Sequence, residues 1–421
     1  MYQCSQKRME EKIRTFSKFG DAGHGGITRY SLSPEAVMAR NEFKQRMENI
    51  GAVIEIDDLA NMYATIPGTD DSLKRIVMGS HIDSVKNGGN YDGILGVLSA
   101  MEVLETVVGE KIPHRHPLTA MISTNEEGSL YPPAMMCSGI TCYEYMPQNI
   151  RENFRYEDMM NSVSVLDHKT TFREALETSG FKGDRKYRIS PEKYQCMFET
   201  HIEQGPILEE NKKDIGVVDC VLGMFNCRIK LYGQTTHAGT FPMPQRKDAF
   251  FAASQIVCYL HEEIDKLGIP ELVYTTGEMV CHPCIHTCVP DYFDFSLDVR
   301  HKDEEMLRHV KKVVESCTEK EWAGCKCEVE TAWNRETVFW DSELVNLVEE
   351  AAREQEIPYQ YIHSGAGHDA QFYAYMLPTT MIFVQSRAGL SHCEKEYSTP
   401  EHCTSGATVM LNAVLKADKK F

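Results

Sequence analysis

Arg75-Ile76-Val77-Met78-Gly79-Ser80-His81-Ile82-Asp83 is a short apolar run that ends on a histidine and an aspartate. It reads as a buried strand with polar groups at its carboxyl end. Asp92-Gly93 then opens a predicted helix through Leu95, Leu98, Met101 and Leu104, apolar at a spacing of three. The pattern recurs: Leu118–Thr124 runs into Asn125-Glu126-Glu127, Met197–Thr200 precedes His201, and Thr380–Val384 precedes His392. Functional groups of α/β folds gather where the carboxyl ends of parallel strands meet their loops. An α/β fold is the expectation.

Outward from this stretch, Ser33-Pro34-Glu35 has the chemistry of a helix start, with Ser33 as cap, and the helix is read through Arg40, Phe43 and Met47 towards Gly51. Val53–Asp57 and Asn61–Ile66 read as a hairpin. From about Gly216 to Glu330 the pattern changes. Val217–Val221, Asn226–Tyr232, Glu278–Cys281, Tyr292–Arg300 and Cys327–Glu330 read as strands, with helices predicted over Asp248–Leu267 and Glu304–Ser316. That order suggests an open-faced α+β sandwich. It interrupts a first domain that resumes with a helix over Glu343–Gln355. The predicted domains are therefore 1–215 and 332–421, forming one unit, and 216–331.

At 421 residues the chain exceeds one ordinary core. Its 42% hydrophobic and 25% charged residues are those of a globular protein. The 44 basic and 62 acidic residues leave a formal charge of −18, and no basic stripe stands out, which argues against a nucleic-acid partner. No apolar stretch of about twenty residues predicts a membrane span. Met1 to Gly20 has no signal-peptide run, so a cytoplasmic location is expected. The fifteen cysteines are then read as reduced, mostly buried thiols. Cys281, Cys284 and Cys288 lead into an alternating strand pattern rather than opening a helix, and no second Cys-x-x-Cys follows at finger spacing. They are read as ordinary thiols.

The strand and loop ends supply His81, Asp92, one of Glu126 and Glu127, His201 and His392 as candidate metal ligands. Three imidazoles and two carboxylates suffice for two divalent ions if one carboxylate bridges. A paired-metal site implies an activated water, and so hydrolysis.

Seven motifs in order resemble the M20-type metallohydrolases. They are Gly79–Ser84, Asn87–Gly93, Asn125–Gly128, His201–Pro206, Gly233–Gly239, Ser364–Ala370 and Ser391-His392. The nearest branch looks like the hydantoinase/carbamoylase group: N-carbamoyl-L-amino acid hydrolases, allantoate amidohydrolases and β-ureidopropionases. The resemblance implies an α/β catalytic domain with a mixed, largely parallel sheet flanked by helices, interrupted by an α+β sandwich lid that dimerises. It implies two divalent ions per subunit, Zn²⁺ first, with Mn²⁺, Co²⁺ or Ni²⁺ as alternatives. His81, Glu127, His201 and His392 would bind them and Asp92 would bridge. Asp83 would hold the His81 ring, and Glu126 would be the general base. Adjacent residues at a strand end project differently, which fits one glutamate on metal and its neighbour facing water. His237, reaching the site of a second subunit, would donate to the oxyanion.

The implied substrate groups are Arg300, gripping a carboxylate, with Gln204, His237, Gly365 and Ala366. Thr287 stands where the family has asparagine, and Asn226 where allantoate enzymes carry arginine. Leu130 also replaces an arginine. The first two changes count against allantoate. The expected function is hydrolysis of the carbamoyl group of an N-carbamoyl-L-amino acid or similar ureido acid to amino acid, CO₂ and ammonia. Alternatives are an allantoate-type amidohydrolase, an aminoacylase or peptidase, or a non-catalytic binding protein that keeps the fold. His368 and Asp369 either line the site or cap a helix.

Overall fold

Four parallel strands form the centre of a nine-stranded mixed sheet in a computed structural model that describes residues 1–421. Arg75–His81 is buried from Ile76 onward, as its apolar run requires. It pairs in parallel with Leu118–Ser123, His81 lying opposite Ser123, and with Tyr194–Ile202, Met78 lying opposite Phe198. Tyr194–Ile202 pairs in parallel with Thr379–Val384, which sets His201 opposite Phe383. All four strands therefore deliver their carboxyl ends to one edge.

The margins are antiparallel. Met62–Ile66 and Val53–Ile56 extend one side as the predicted hairpin. On the other side Ile215–Val221 runs antiparallel to Thr379–Val384, and Tyr359–Ser364 pairs with it. This corrects the sequence reading, which placed the strand Val217–Val221 in the second domain. All of its side chains except Asp219 are buried, so it satisfies the two-sided cover of the larger sheet.

Helix Ile94–Gly109 is buried on nearly every side and packs on Arg75–His81, with Gln6–Phe16 and Pro400–Lys420 against it. Its one buried acid, Glu102, takes Lys12 Nζ at 2.5 Å, together with Arg8 and the Ser5 backbone N–H. Pro34–Asn49 starts as expected, Ser33 Oγ accepting the Ala36 N–H at 3.2 Å.

The chain divides into Met1–Asp219 with Phe339–Phe421, and Cys220–Val338. The second unit holds a four-stranded antiparallel sheet in the order Val273–His282, Tyr292–His301, Gly223–Tyr232, Lys326–Arg335. Phe225, Cys227, Ile229 and Leu231 alternate towards helices Ala249–Lys266 and Glu304–Glu315, as do Phe293, Phe295, Leu297 and Val299. The last strand outruns its predicted end at Glu330. Its register shifts between Thr331 and Trp333, and the break in alternation hides the continuation.

Lys12 and Glu102 are both fully buried. Lys12→Met should therefore cost about 3 kcal/mol in urea unfolding, because it removes one partner of a buried ion pair. An unchanged midpoint would show that Arg8 alone satisfies Glu102.

Candidate functional site

Asp92 sits at the centre of the sheet's carboxyl edge, with a different set of ligand atoms around each of its oxygens. His201 Nε2 lies 3.2 Å and His81 Nε2 3.7 Å from Asp92 Oδ1. His392 Nε2 lies 3.3 Å from Oδ2 and 3.8 Å from Glu127 Oε2. The result is two clusters, His81–Asp92–His201 and Asp92–Glu127–His392, sharing one carboxylate.

Local backbone fixes the rings. His81 Nδ1 is 3.0 Å from the Asp83 carbonyl, and His201 Nδ1 is 2.9 Å from the Ile202 carbonyl. A carbonyl only accepts, so each Nδ1 carries the proton and each Nε2 presents a lone pair to Asp92. Gly93 follows Asp92 with φ +65°, and its N–H points at His201 Nε2 over 3.1 Å. A Cβ at Gly93 would overlap the His81 ring. Glycine is required here by both dihedral and space.

The donor set fits divalent cations. Burial raises Glu127 to about 8, and the charge of Asp92 adds to this. Its Oε1 is buried without a partner. Glu126 is also pushed up, first by burial and then by the charges of Asp369 and Glu127. Burial acts to lower His201, but the charge of Asp92, the hydrogen bond to it and the charge of Glu199 together outweigh it and bring the ring to about 9. The Gly93 N–H nevertheless needs an unprotonated Nε2. A cation in place of that proton answers both demands. His392, half-exposed, is raised to about 9 first by its hydrogen bond to Asp92. Imidazole and carboxylate ligands of this kind accept several first-row ions.

Other predicted residues surround the two clusters. The ring of His81 is held by the Asp83 carbonyl, whereas the Asp83 carboxylate stands 3.9 Å away. That carboxylate instead accepts the Glu127 N–H at 3.1 Å and the Glu126 N–H at 3.4 Å, fixing the two glutamates. Gln204, expected at the substrate, donates its amide to Asp92 Oδ2 at 2.7 Å and to Ser391 Oγ at 3.2 Å. His368 makes no capping bond. It packs edge-on to His201 with centroids 4.5 Å apart and meets Ser364 Oγ at 2.9 Å. Asp369 is buried and bonded to Ser138. Gly365 is exposed, and Ala366 bonds back to Ser364 Oγ.

In the second unit the sheet register sets Asn226 opposite Asp298, and Arg300 lies two residues along the same open face. Arg300 Nε is 2.7 Å from Asp298 Oδ1. Separately, His237 and Thr287 adjoin, the Ala238 N–H reaching the Thr287 carbonyl at 2.8 Å. The Nδ1 of His237 accepts the Gly239 N–H at 3.1 Å. In the neutral ring the proton then lies on Nε2.

Arg29, Arg40 and Glu396 carried no sequence signal for the site. Buried Arg29 donates to the carbonyls of Ile82, Phe16 and Phe19 and so pins the turn after His81. Arg40 reaches Thr124 Oγ1 at 2.8 Å, just before Glu126.

Known proteins match this architecture. Residues 77–416 fit the sequence profile described as peptidase family M20/M25/M40. The chain belongs to that family, in its hydantoinase/carbamoylase branch. It is 32% identical over 411 residues to an N-carbamoyl-L-amino-acid amidohydrolase of Rhizobium meliloti, covering 97% of this chain and 95% of that protein. It is 32% identical over 393 residues to an allantoate amidohydrolase of Escherichia coli strain K12, covering 92% of each. A solved amidase of the hydantoinase/carbamoylase family from Burkholderia multivorans superimposes with a TM-score of 0.88 at 33% identity, covering 98% of both chains. The protein is a hydrolase of amide-type C–N bonds, from a family whose enzymes depend on metal. No helix is long and apolar enough to cross a membrane.

Gly93→Ala should displace the His81 ring; if that ring ligates a cation, zinc binding should weaken about ten- to a hundredfold, the scale of losing a ligand's support. Equilibrium dialysis against zinc measures it. Unaltered affinity would mean that His81 does not ligate.

Proposed function

We propose that the chain hydrolyses the carbamoyl C–N bond of an N-carbamoyl-L-amino acid or a similar ureido acid. The reading is carried by one observation: Glu126, buried and raised, lies 3.6 Å from His81 Nε2 beside two ligand clusters that share Asp92. His81, His201, His392, Glu127 and Asp92 would hold two divalent ions, Zn²⁺ first, with Mn²⁺, Co²⁺ or Ni²⁺ as alternatives. Bound there, they would supply the positive charge that acidifies a water and polarises a carbonyl.

Glu126 takes the proton of the attacking water, whose oxygen bonds to the ureido carbon. His237, with its proton on Nε2, donates to the oxygen that gains charge. Glu126 then returns the proton to the leaving nitrogen as the first C–N bond breaks, releasing NH₃, and the carbamic acid R–NH–COOH that remains loses CO₂ as the second C–N bond breaks. In sum, R–NH–CO–NH₂ and water give R–NH₂, CO₂ and NH₃. Arg300, its fork held by Asp298, would pair with the substrate carboxylate, with Asn226 beside it and Thr287 and Gln204 as further polar groups. Gly365 and Ala366 would line the site.

We read the protein as a homodimer built through the second unit, with His237 acting on the neighbouring subunit. Mostly buried thiols fit a cytoplasmic location. Allantoate hydrolysis is the second reading, favoured by the equal identity to the E. coli allantoate amidohydrolase. Asn226 and Thr287 speak against it.

Ammonia release from N-carbamoyl amino acids, with allantoate in parallel, decides between the two once metal is added. Glu126→Gln should lower kcat about 10²- to 10⁴-fold while metal content survives; loss of metal instead would exchange the roles of the two glutamates. Arg300→Ala should lower kcat/KM about ten- to a hundredfold for carboxylate substrates, and far less for their amide analogues. Equal losses would remove Arg300 from recognition. If His237 acts across subunits, mixing inactive His237→Ala and Glu126→Gln proteins should restore about a quarter of wild-type activity through hybrid dimers. No recovery would place His237 in its own subunit's site or outside catalysis.

A further inference from the structure

Glu396 is 4% exposed and uses both oxygens to join two chain segments some three hundred residues apart. Its Oε1 accepts the backbone N–H of Tyr91 at 2.9 Å and of Asp92 at 3.0 Å. Its Oε2 accepts the Ser391 hydroxyl at 3.0 Å and the His392 N–H at 3.3 Å. Ser391 Oγ also lies 2.8 Å from Asp92 Oδ2, so one hydroxyl stands between the two carboxylates. A Cβ at Gly89 would overlap the Glu396 carboxyl, so the loop before Asp92 is shaped around it. Tyr91 and Tyr397 meet edge to face at 5.7 Å and join the same segments.

Neither segment has regular structure to hold it here. Tyr91 and Asp92 sit in a loop, and Ser391 to Glu396 lie between the strand Thr379–Val384 and the helix Pro400–Lys420. His392 is half-exposed, has φ +57°, and is placed by its own backbone rather than by packing. The bonds from Glu396 are the ones that tie the backbone amides of Asp92 and His392 to a single group.

We propose that Glu396 is a positioning residue that sets the separation of Asp92 and His392, and so builds the second cation position of Asp92, Glu127 and His392. This rests on the metal reading above. A carboxylate suits the task because it offers only acceptors. An amide at this position must turn its NH₂ either towards the Tyr91 and Asp92 N–H groups or towards that of His392. In either orientation donor faces donor. Ligand-supporting partners of this kind govern metal affinity by fixing geometry.

Zinc titration of chelator-stripped protein against a competing chromophoric chelator tests it, alongside thermal melting of the metal-free forms. In Glu396→Gln the weaker-held zinc should bind about ten- to a hundredfold less tightly. The tighter one should change little, and the metal-free melting temperature should fall by far less than the loss of zinc affinity would account for. Ser391→Ala keeps the carboxylate and should weaken the same zinc by less; it decides the matter if Glu396→Gln does not fold. Unchanged zinc affinity in a folded variant overturns the proposal. So does a fall in metal-free stability that matches the loss of zinc, which would make Glu396 a fold-stabilising group only. Wild-type protein that binds no zinc overturns the metal reading and this proposal with it.

Discussion

The repulsion among carboxylates gathered at one sheet edge is the constraint that orders this structure. Asp83, Asp92, Glu126, Asp369 and Glu396 are all buried, and Glu127 is nearly so. Burial raises Glu126, Glu127, Asp369 and Glu396, and the neighbouring acids add to each shift. Uncompensated, such a cluster works against folding. The three imidazoles answer part of the charge, and in the proposed reading divalent cations would answer the rest.

The scaffold holds the ligand loops with groups that are not ligands. Arg29 and Arg40 are buried, yet neither pairs with the acids directly. Arg29 binds three carbonyls around the turn after His81, and Arg40 binds the Ala60 carbonyl and Thr124. Asp83 binds two backbone N–H groups. The segments that carry His81, Glu126 and Glu127 are thereby aimed through their backbone. Such support keeps a polar constellation from relaxing into its own hydrogen bonds.

Of the five candidate ligand positions, His81, Glu127 and His201 were legible because they stand at or just beyond the ends of apolar runs, and parallel strands must end at a common edge; Asp92 and His392 lie in loops and were legible only by residue type and motif. Glu126 and Glu127 could be separated only through the family resemblance, since their spacing allows either role. Asp83 was legible as a supporting residue, but its task was not. Which acceptor turns to a ring depends on the path of the chain after His81, and the carbonyl gets there first. The strand Ile215–Val221 went to the wrong domain because it directly precedes a strand of the second sheet, and an apolar run does not say which partner covers it. Glu396 left no trace, since a lone acid in a polar stretch is the ordinary signature of a solvated loop.

In the proposed reading, catalysis and recognition draw on different kinds of residue. Polarising a carbonyl and moving one proton suits any linear amide, so the cation ligands and Glu126 carry no preference for a particular substrate. In the proposed reading that preference falls to side chains on the open face and loops of the second unit. There, alternation along Gly223–Tyr232 and Tyr292–His301 commits one face to the helices and sets Asn226, Asp298 and Arg300 on the other. Asp298 orients the Arg300 fork but also neutralises part of its charge, so a substrate carboxylate must share the guanidinium. A bidentate partner that offers two oxygens in one plane does so best. In the proposed reading that geometry would favour a carboxylate over a neutral amide even where the reacting group is the same.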